Sequence, residues 1–122
     1  YVTYLDSGHV RLGLDHWGVG GAVSDPIALD YRAPHAIEVR MGSLYPDEKD
    51  PAWGSVDPAI RHQLKSSMEI ILDGVRVLKA PLPAYPSTPE EITPGENRIE
   101  GSSCEPTFSG EIHSAVFLGL KP

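Results

Sequence analysis

Residues 68–79 read Met-Glu-Ile-Ile-Leu-Asp-Gly-Val-Arg-Val-Leu-Lys, and this stretch decides the fold class. Two short runs rich in Ile, Leu and Val flank the dipeptide Asp73-Gly74. Asp-Gly supplies the two positive φ angles that a two-residue type I′ turn requires, and such a turn joins antiparallel strands. The stretch therefore predicts a β-hairpin.

Further strands are predicted where apolar and polar residues alternate with a period of two. One such run follows Asp6-Ser7-Gly8, whose residue types suit a tight reversal, so it should pair with the run at the start of the chain. The final run carries Gly110, where we expect a bulge. Besides the hairpin, the predicted strands are residues 1–5, 10–14, 27–29, 35–41 and 108–118.

Glycine and proline, 12 of each in 122 residues, make up about a fifth of the chain, against about 12% in an average protein. Both are poor inside helices, so a helical bundle is excluded. Their positions predict long loops at residues 43–62 and 80–91 and a glycine-rich loop at 18–21. Asp57-Pro58 is typical of the start of a short helix. We expect one domain, residues 1–122, built as an antiparallel two-sheet β-sandwich.

The charge distribution argues against nucleic acid as a partner. Ten basic against 17 acidic residues give a formal charge of −7, and no two Lys or Arg residues are adjacent, whereas a phosphate-tracking surface needs a basic stripe. The apolar stretches are far shorter than the roughly 20 residues of a membrane helix, so no transmembrane segment is expected. Because the chain begins with Tyr1, we interpret it as an excised piece of a larger protein. The role of the single cysteine, Cys104, stays open.

The order of four motifs resembles the laminin G-like and concanavalin A-like lectin superfamily, over the chain from Val10 to Leu120. The motifs are His35-Ala36-Ile37-Glu38-Val39-Arg40, Leu72-Asp73-Gly74-Val75-Arg76-Val77, Ile92-Thr93-Pro94-Gly95-Glu96-Asn97 and Phe108-Ser109-Gly110-Glu111-Ile112. The resemblance implies an all-β jelly-roll sandwich. It also implies an extracellular or periplasmic protein, or the exported part of a membrane-anchored one.

A full domain of this superfamily has more strands ahead of the one that begins at Val10. We therefore expect either that the domain itself is truncated or that its first strands lie outside this sequence. A sandwich of this kind would have an open sheet edge, where contact with another domain or chain is expected unless something covers it.

The segment that we single out as a ligand site is Asp15-His16-Trp17 with the glycines that follow it. A Trp can stack on the apolar face of a sugar ring, while Asp and His bind its hydroxyls and the glycines let a ligand approach the backbone. The alternative is that Trp17 closes the end of the core. Tyr45 and Trp53, on the long loop 43–62, are expected to be exposed ligand-binding residues as well. The loop 80–91 is rich in proline and should cross the surface in an extended form, and we expect Tyr85 to pack this proline-rich crossing down.

Catalytic residues are not assigned. Glucanase relatives in the superfamily carry a Glu-x-Asp-x-x-Glu cluster, and the nearest approach here, Glu48-Lys49-Asp50, has Trp53 in place of the last Glu. We therefore favour a noncatalytic recognition module that binds carbohydrate or a protein surface. The alternatives are a divergent glycan-cleaving enzyme, which would need two carboxylates facing one cleft, and a structural accessory domain within a larger assembly.

Metal binding is left open between no cofactor and calcium. Calcium is the commonest metal of the superfamily and takes six to eight oxygen ligands from loops. The five histidines are too far apart in sequence to indicate zinc. The candidate calcium donors are Asp15, Asp30, Asp47, Glu48, Asp50 and Asp57.

Overall fold

The computed structural model describes residues 1–85, 87–98 and 104–119. Within these residues the strands form two antiparallel sheets, with one short helix. Pro86 of the proline-rich crossing and Leu120, where the resemblance ends, lie outside the described residues. The strands are β1 (Val2–Tyr4), β2 (His9–His16), β3 (Gly20–Val23), β4 (Ile27–Ala28), β5 (Ile37–Met41), β6 (Ser67–Leu72) and β7 (Val75–Pro81); the helix is α1 (Pro58–Lys65); 3-10 turns span Gly42–Leu44, Pro51–Trp53 and Pro89–Glu91.

The first sheet is organised around β2, with which β1, β3 and β4 all pair. The predicted hairpin at the start of the chain is confirmed as the antiparallel pair β1–β2. Between β3 and β4 the buried Ser24 takes part in the ladder through its side chain: its hydroxyl oxygen accepts the Leu12 N–H at 3.1 Å. The Ser24 backbone N–H in turn donates to the Leu12 carbonyl. The two hydrogen bonds satisfy both backbone groups of Leu12 close to Pro26, a residue that has no N–H to donate.

The second sheet has the order β5-β6-β7, and its centre is the predicted hairpin. Leu72 pairs with Val75, which leaves Asp73 and Gly74 as a two-residue turn with φ angles of 49° and 81°. Two positive φ angles are what a type I′ turn requires, so the prediction is confirmed. A register shift between Ile70 and Ile71 adds a bulge to β7.

The core lies between the two sheets. β6 alternates strictly, so that Met68, Ile70 and Leu72 are buried while the residues between them are half-buried. These three side chains form one cluster with Leu12 of the first sheet and with Leu82, which follows β7. The architecture is therefore mostly β, in two layers, consistent with the predicted β-sandwich.

The predicted strand at 35–41 is confirmed as β5, but its apolar side chains are less buried than those of β6. Ile37 and Val39 pair with Leu72 and Ile70 and so share their face of the sheet. Nevertheless they are 50% and 43% exposed, against 5% for each partner. The reason is their position, because no strand of the described residues pairs with the outer edge of β5.

The glycine-rich loop predicted at residues 18–21 is wrong in its second half, because β3 begins at Gly20. The strand tolerates glycine there for a steric reason. A Cβ atom at Gly21 would collide with the Leu14 carbonyl of β2. Here glycine allows the close approach of two strands instead of interrupting one.

The core strand predicted at residues 108–118 is also wrong, since the described residues 104–119 contain no strand. Phe108 donates its N–H to the Gly95 carbonyl at 2.8 Å, and its ring covers Gly110. These contacts direct the segment back toward Gly95 instead of into a sheet. As a result its apolar side chains face solvent: Val116 is 76%, Phe117 53% and Leu118 51% exposed.

The predicted helix start at Asp57 is confirmed. The Asp57 carboxylate accepts the Ala59 N–H at 2.7 Å, and Pro58 occupies the first turn of α1. The helix has eight residues. Among the described residues, no helix is both long and apolar enough to cross a bilayer.

The two-layer core predicts unequal effects for the same substitution in two strands. Ile70→Ala empties a buried position in β6 and should lower the free energy of unfolding by about 2–5 kcal/mol. Ile37→Ala, on the same face of the open edge strand, should cost no more than about 1 kcal/mol. Chemical denaturation of both variants measures the difference. If Ile70→Ala does not fold, Ile70→Val should still lower the free energy of unfolding by about 0.5–1.5 kcal/mol. Equal losses of stability at positions 70 and 37 would contradict the packing described.

Candidate functional site

The hairpin between β2 and β3 presents Trp17 at its tip. The turn is closed by the Val19 N–H, which donates to the His16 carbonyl at 3.0 Å, and it contains Gly18 with φ 76°. Trp17 is 70% exposed and Val19 is 58% exposed. A side chain that large usually loses most of its surface on folding, so the tip displays an aromatic ring that the core does not use.

A shallow, open depression of about 310 Å³ lies beside this hairpin. Asp15 contributes its exposed carboxylate there, and Gly21, its partner across the ladder, leaves the surface free of a side chain. The Tyr1 ring lies across Gly13, where a Cβ atom would overlap it. The full lining is Tyr1, Leu14, Asp15, Gly21, Ala22 and Val23.

The strand geometry does not favour the predicted convergence of Asp15 and His16 on one ligand. Both residues belong to β2, which runs to His16 instead of ending before it. Successive side chains of a strand point to opposite faces, so Asp15 and His16 lie on opposite faces of β2, and His16 shares the face that carries Leu12. Continuing the alternation of residues 10–14 by two positions would have revealed this from the sequence.

His16 instead contacts the proline-rich crossing. Its ring lies 5.0 Å from the Tyr85 ring, centroid to centroid, at an angle of 46°. The His16 Nδ1 atom is buried and has no hydrogen-bond partner among the described residues. Tyr85 is 43% exposed, and its contact with His16 attaches the crossing to the end of β2, in keeping with the packing role predicted for it.

The predicted exposure of Trp53 is also wrong, because this residue is only 1% exposed. Its indole N–H donates to the Asp47 carbonyl at 2.8 Å. The Tyr45 ring packs 5.8 Å from it, and the Arg61 guanidinium lies 5.9 Å from the ring centroid. Tyr45 is half-buried, and burial raises the pKa of its phenol. Trp53 thus anchors the 43–62 segment and has no free face for a ligand.

Two cations that the sequence analysis did not consider hold this segment in place. Arg61 of α1 donates to the carbonyls of Glu48 at 2.7 Å and Val56 at 2.9 Å. Lys65, at the end of the helix, donates to the carbonyls of Gly42 and Tyr45. Their role could have been suspected from the helix start at Asp57, which places both one turn apart on one helix face.

Three of the acidic residues considered for calcium, all in the 43–62 segment, have local structural partners. Asp50 accepts the Ala52 N–H at the start of a 3-10 turn, Asp57 caps α1, and Asp47 accepts the Lys49 N–H. In the part of the chain that the structure describes, no three His, Cys, Asp or Glu side chains form a group that could hold a metal ion. Calcium binding stays a prediction without an assigned site.

Two glutamates share the outer face of the second sheet. The pairing of Arg40 with Glu69, and the position of Glu38 two residues before Arg40, put both carboxylates on that face. Glu38 accepts from Arg40 at 2.7 Å, and Glu69 forms an ion pair with Lys79 at 2.8 Å. The Lys79 hydrogen bond lowers the pKa of Glu69, whereas a general acid in glycoside hydrolysis needs a raised pKa. The arrangement does not favour the enzymatic alternative.

Comparisons with known proteins found no match for this chain. No family model matches the chain, and no curated protein or solved structure shows significant similarity to it. The laminin G-like resemblance therefore stays a prediction, and the inferences about function depend on the site itself.

The opposite environments of the two tryptophans predict separable fluorescence. In Trp53→Phe, the remaining Trp17 should emit at long wavelength and be readily quenched by acrylamide, because it faces water. In Trp17→Phe, the remaining Trp53 should emit at shorter wavelength and resist quenching until the protein unfolds. Similar emission from both variants would contradict the assigned burial.

Proposed function

We propose that this chain is a noncatalytic recognition module that binds carbohydrate through the β2–β3 hairpin. The observation that carries the proposal is the 70% exposure of Trp17 at the tip of the hairpin whose strands β2 and β3 line an open depression. An exposed aromatic ring of this size offers the apolar face of a sugar ring a large contact area, at the entropic cost of ordering only two side-chain torsions.

The surroundings of Trp17 suit a polyhydroxylated ligand. The Asp15 carboxylate can accept hydrogen bonds from sugar hydroxyls, and acceptors of this kind fix orientation in small-molecule sites. Gly21 also lines the depression and has no side chain that would occupy it. The depression is shallow, which favours a saccharide that lies along the surface over one that is enclosed.

The wider assignment rests on the motif resemblance. On that basis we propose that the chain is a laminin G-like or concanavalin A-like jelly-roll domain and that it is extracellular or periplasmic, or the exported part of a membrane-anchored protein. The site residues of the proposal are Asp15 and Trp17, because Trp53 is enclosed and His16 lies on the other face of its strand.

A structural accessory role is the second candidate, and two observations favour it. Ile37 and Val39 lie half-exposed along the open edge of β5, and residues 116–118 expose three consecutive apolar side chains. Apolar surface of this kind is typical of contacts with another domain or chain. A protein surface could also cover Trp17, since tryptophan is enriched at the centres of interfaces.

The carbohydrate proposal is tested on a glycan array with the wild-type protein, Trp17→Ala and Val75→Ala. Val75 is 65% exposed at the β6–β7 turn and serves as the matched control. We expect wild type and Val75→Ala to bind the same glycans, and Trp17→Ala to bind about tenfold or more weakly, because an anchoring aromatic residue contributes more than about 1.4 kcal/mol.

Stability separates a binding effect from a folding effect. Both side chains are exposed, so both substitutions should change the free energy of unfolding by no more than about 0.5 kcal/mol. Binding to no glycan, or binding that survives Trp17→Ala unchanged, would refute the proposal.

A further inference from the structure

His35 joins three segments of the chain just ahead of β5. Its Nδ1 atom lies 2.7 Å from a carboxylate oxygen of Asp73, in the β6–β7 turn. Its Nε2 atom lies 2.9 Å from the backbone carbonyl oxygen of Asp30, in the connection after β4. Since β4 belongs to the first sheet and the β6–β7 turn to the second, the imidazole links the two layers at this end of the molecule.

Both ring nitrogens of His35 face acceptors. A backbone carbonyl can only accept a hydrogen bond, and an ionised carboxylate can only accept as well. Neutral imidazole has one N–H and satisfies one of these partners, whereas the imidazolium has two and satisfies both. The site is therefore built for the charged form of His35.

Two further hydrogen bonds join Asp73 to Ala36, the neighbour of His35. Its second carboxylate oxygen accepts the Ala36 N–H at 2.8 Å, and its own N–H donates to the Ala36 carbonyl at 2.9 Å. Its backbone has φ 49°, which places it in the type I′ turn. The turn residue that joins β6 to β7 thus also closes the ladder at the start of β5.

We propose that His35 is a pH-dependent clamp, in which the imidazolium ties the start of β5 to the β6–β7 turn and to the β4–β5 connection, and its deprotonation releases that end of the edge strand. Within the described residues β5 pairs with β6 alone, so nothing on its outer edge compensates when the clamp opens. Release would expose the end of β6 that Ile37 covers, through the pairing of Ile37 with Leu72.

The charged groups around the ring determine the direction of the pH effect. The groups that act on His35 are Asp73 and Asp30. The hydrogen bond to the Asp73 carboxylate has the larger effect and the bond to the Asp30 carbonyl the next larger, and both raise the pKa of His35 above 6.5. Hydrogen bonds from His35 and Ala36 lower the pKa of Asp73 below 3.8. The clamp is thus fully formed between these two ordinary values. It is lost as pH rises through the raised pKa of His35, or falls through the lowered pKa of Asp73.

The test follows the His35 side-chain nitrogens by NMR, together with amide exchange at Ala36 and Asp73, in the whole chain. In the wild type, both ring nitrogens should stay protonated above pH 6.5. After correction for the intrinsic exchange rate, protection of the two amides should fall severalfold as His35 titrates. This second readout follows the strand end itself, so a change in histidine charge without structural release would not produce it.

Two variants separate the clamp from the turn. Asp73→Asn keeps a residue that favours the turn and keeps an acceptor for the Ala36 N–H, but it removes the charge facing His35. The His35 titration midpoint should fall toward its ordinary value in this variant. Asp6→Asn is the matched control, because Asp6 lies 3.0 Å from His9 and leaves His35 untouched; the His35 midpoint should not change.

His35→Gln completes the series. Protection of the Ala36 amide should then be low and independent of pH between 5 and 8.5, apart from the intrinsic rate. The proposal is overturned if His35 in the wild type titrates at or below its ordinary value, if Asp73→Asn leaves its midpoint unchanged, or if amide protection does not follow the titration.

Discussion

Packing of Leu12 against the alternating side chains of β6 is the contact on which the rest of the structure depends. Leu12 is 3% exposed, and Met68, Ile70 and Leu72 are 1–5% exposed, in one shared cluster. Burying an apolar side chain of this size contributes about 1.5–3 kcal/mol. Because β2 and β6 are the central strands of their sheets, this contact sets which face of each sheet is internal and which remains available for polar groups and ligands.

The candidate site follows from that constraint. Leu12 fixes the inward face of β2, so Asp15, three residues further along, must lie on the outer face. The strand then ends in a three-residue turn, where the described residues leave the Trp17 ring 70% exposed. A rigid strand thus carries an exposed aromatic residue into solvent, an arrangement that binding loops on sandwich scaffolds often use. His35 and Asp73 lie at the turn end of the second sheet, where one side chain holds two layers together.

The outcome of the sequence predictions depended on the range of the interactions involved. The Asp73-Gly74 hairpin, the alternation around Leu12 and the helix start at Asp57 were all predictable, because each is decided within a few residues. The strand at 108–118 was not, although its pattern fits one. A strand forms only where a partner edge accepts it, and here Phe108 engages Gly95 and Gly110 instead. No local pattern reveals that competition.

The same distinction separates the two tryptophans. By itself, the sequence determined the β class, the main turns and the candidate segment around Trp17, since φ preference and two-residue periodicity are local properties of the chain. Only the tertiary structure decided that Trp53 is enclosed by Tyr45 and Arg61 while Trp17 is exposed. Burial depends on which distant residues arrive beside a side chain, and the packing of the two sheets and of the 43–62 segment determines that.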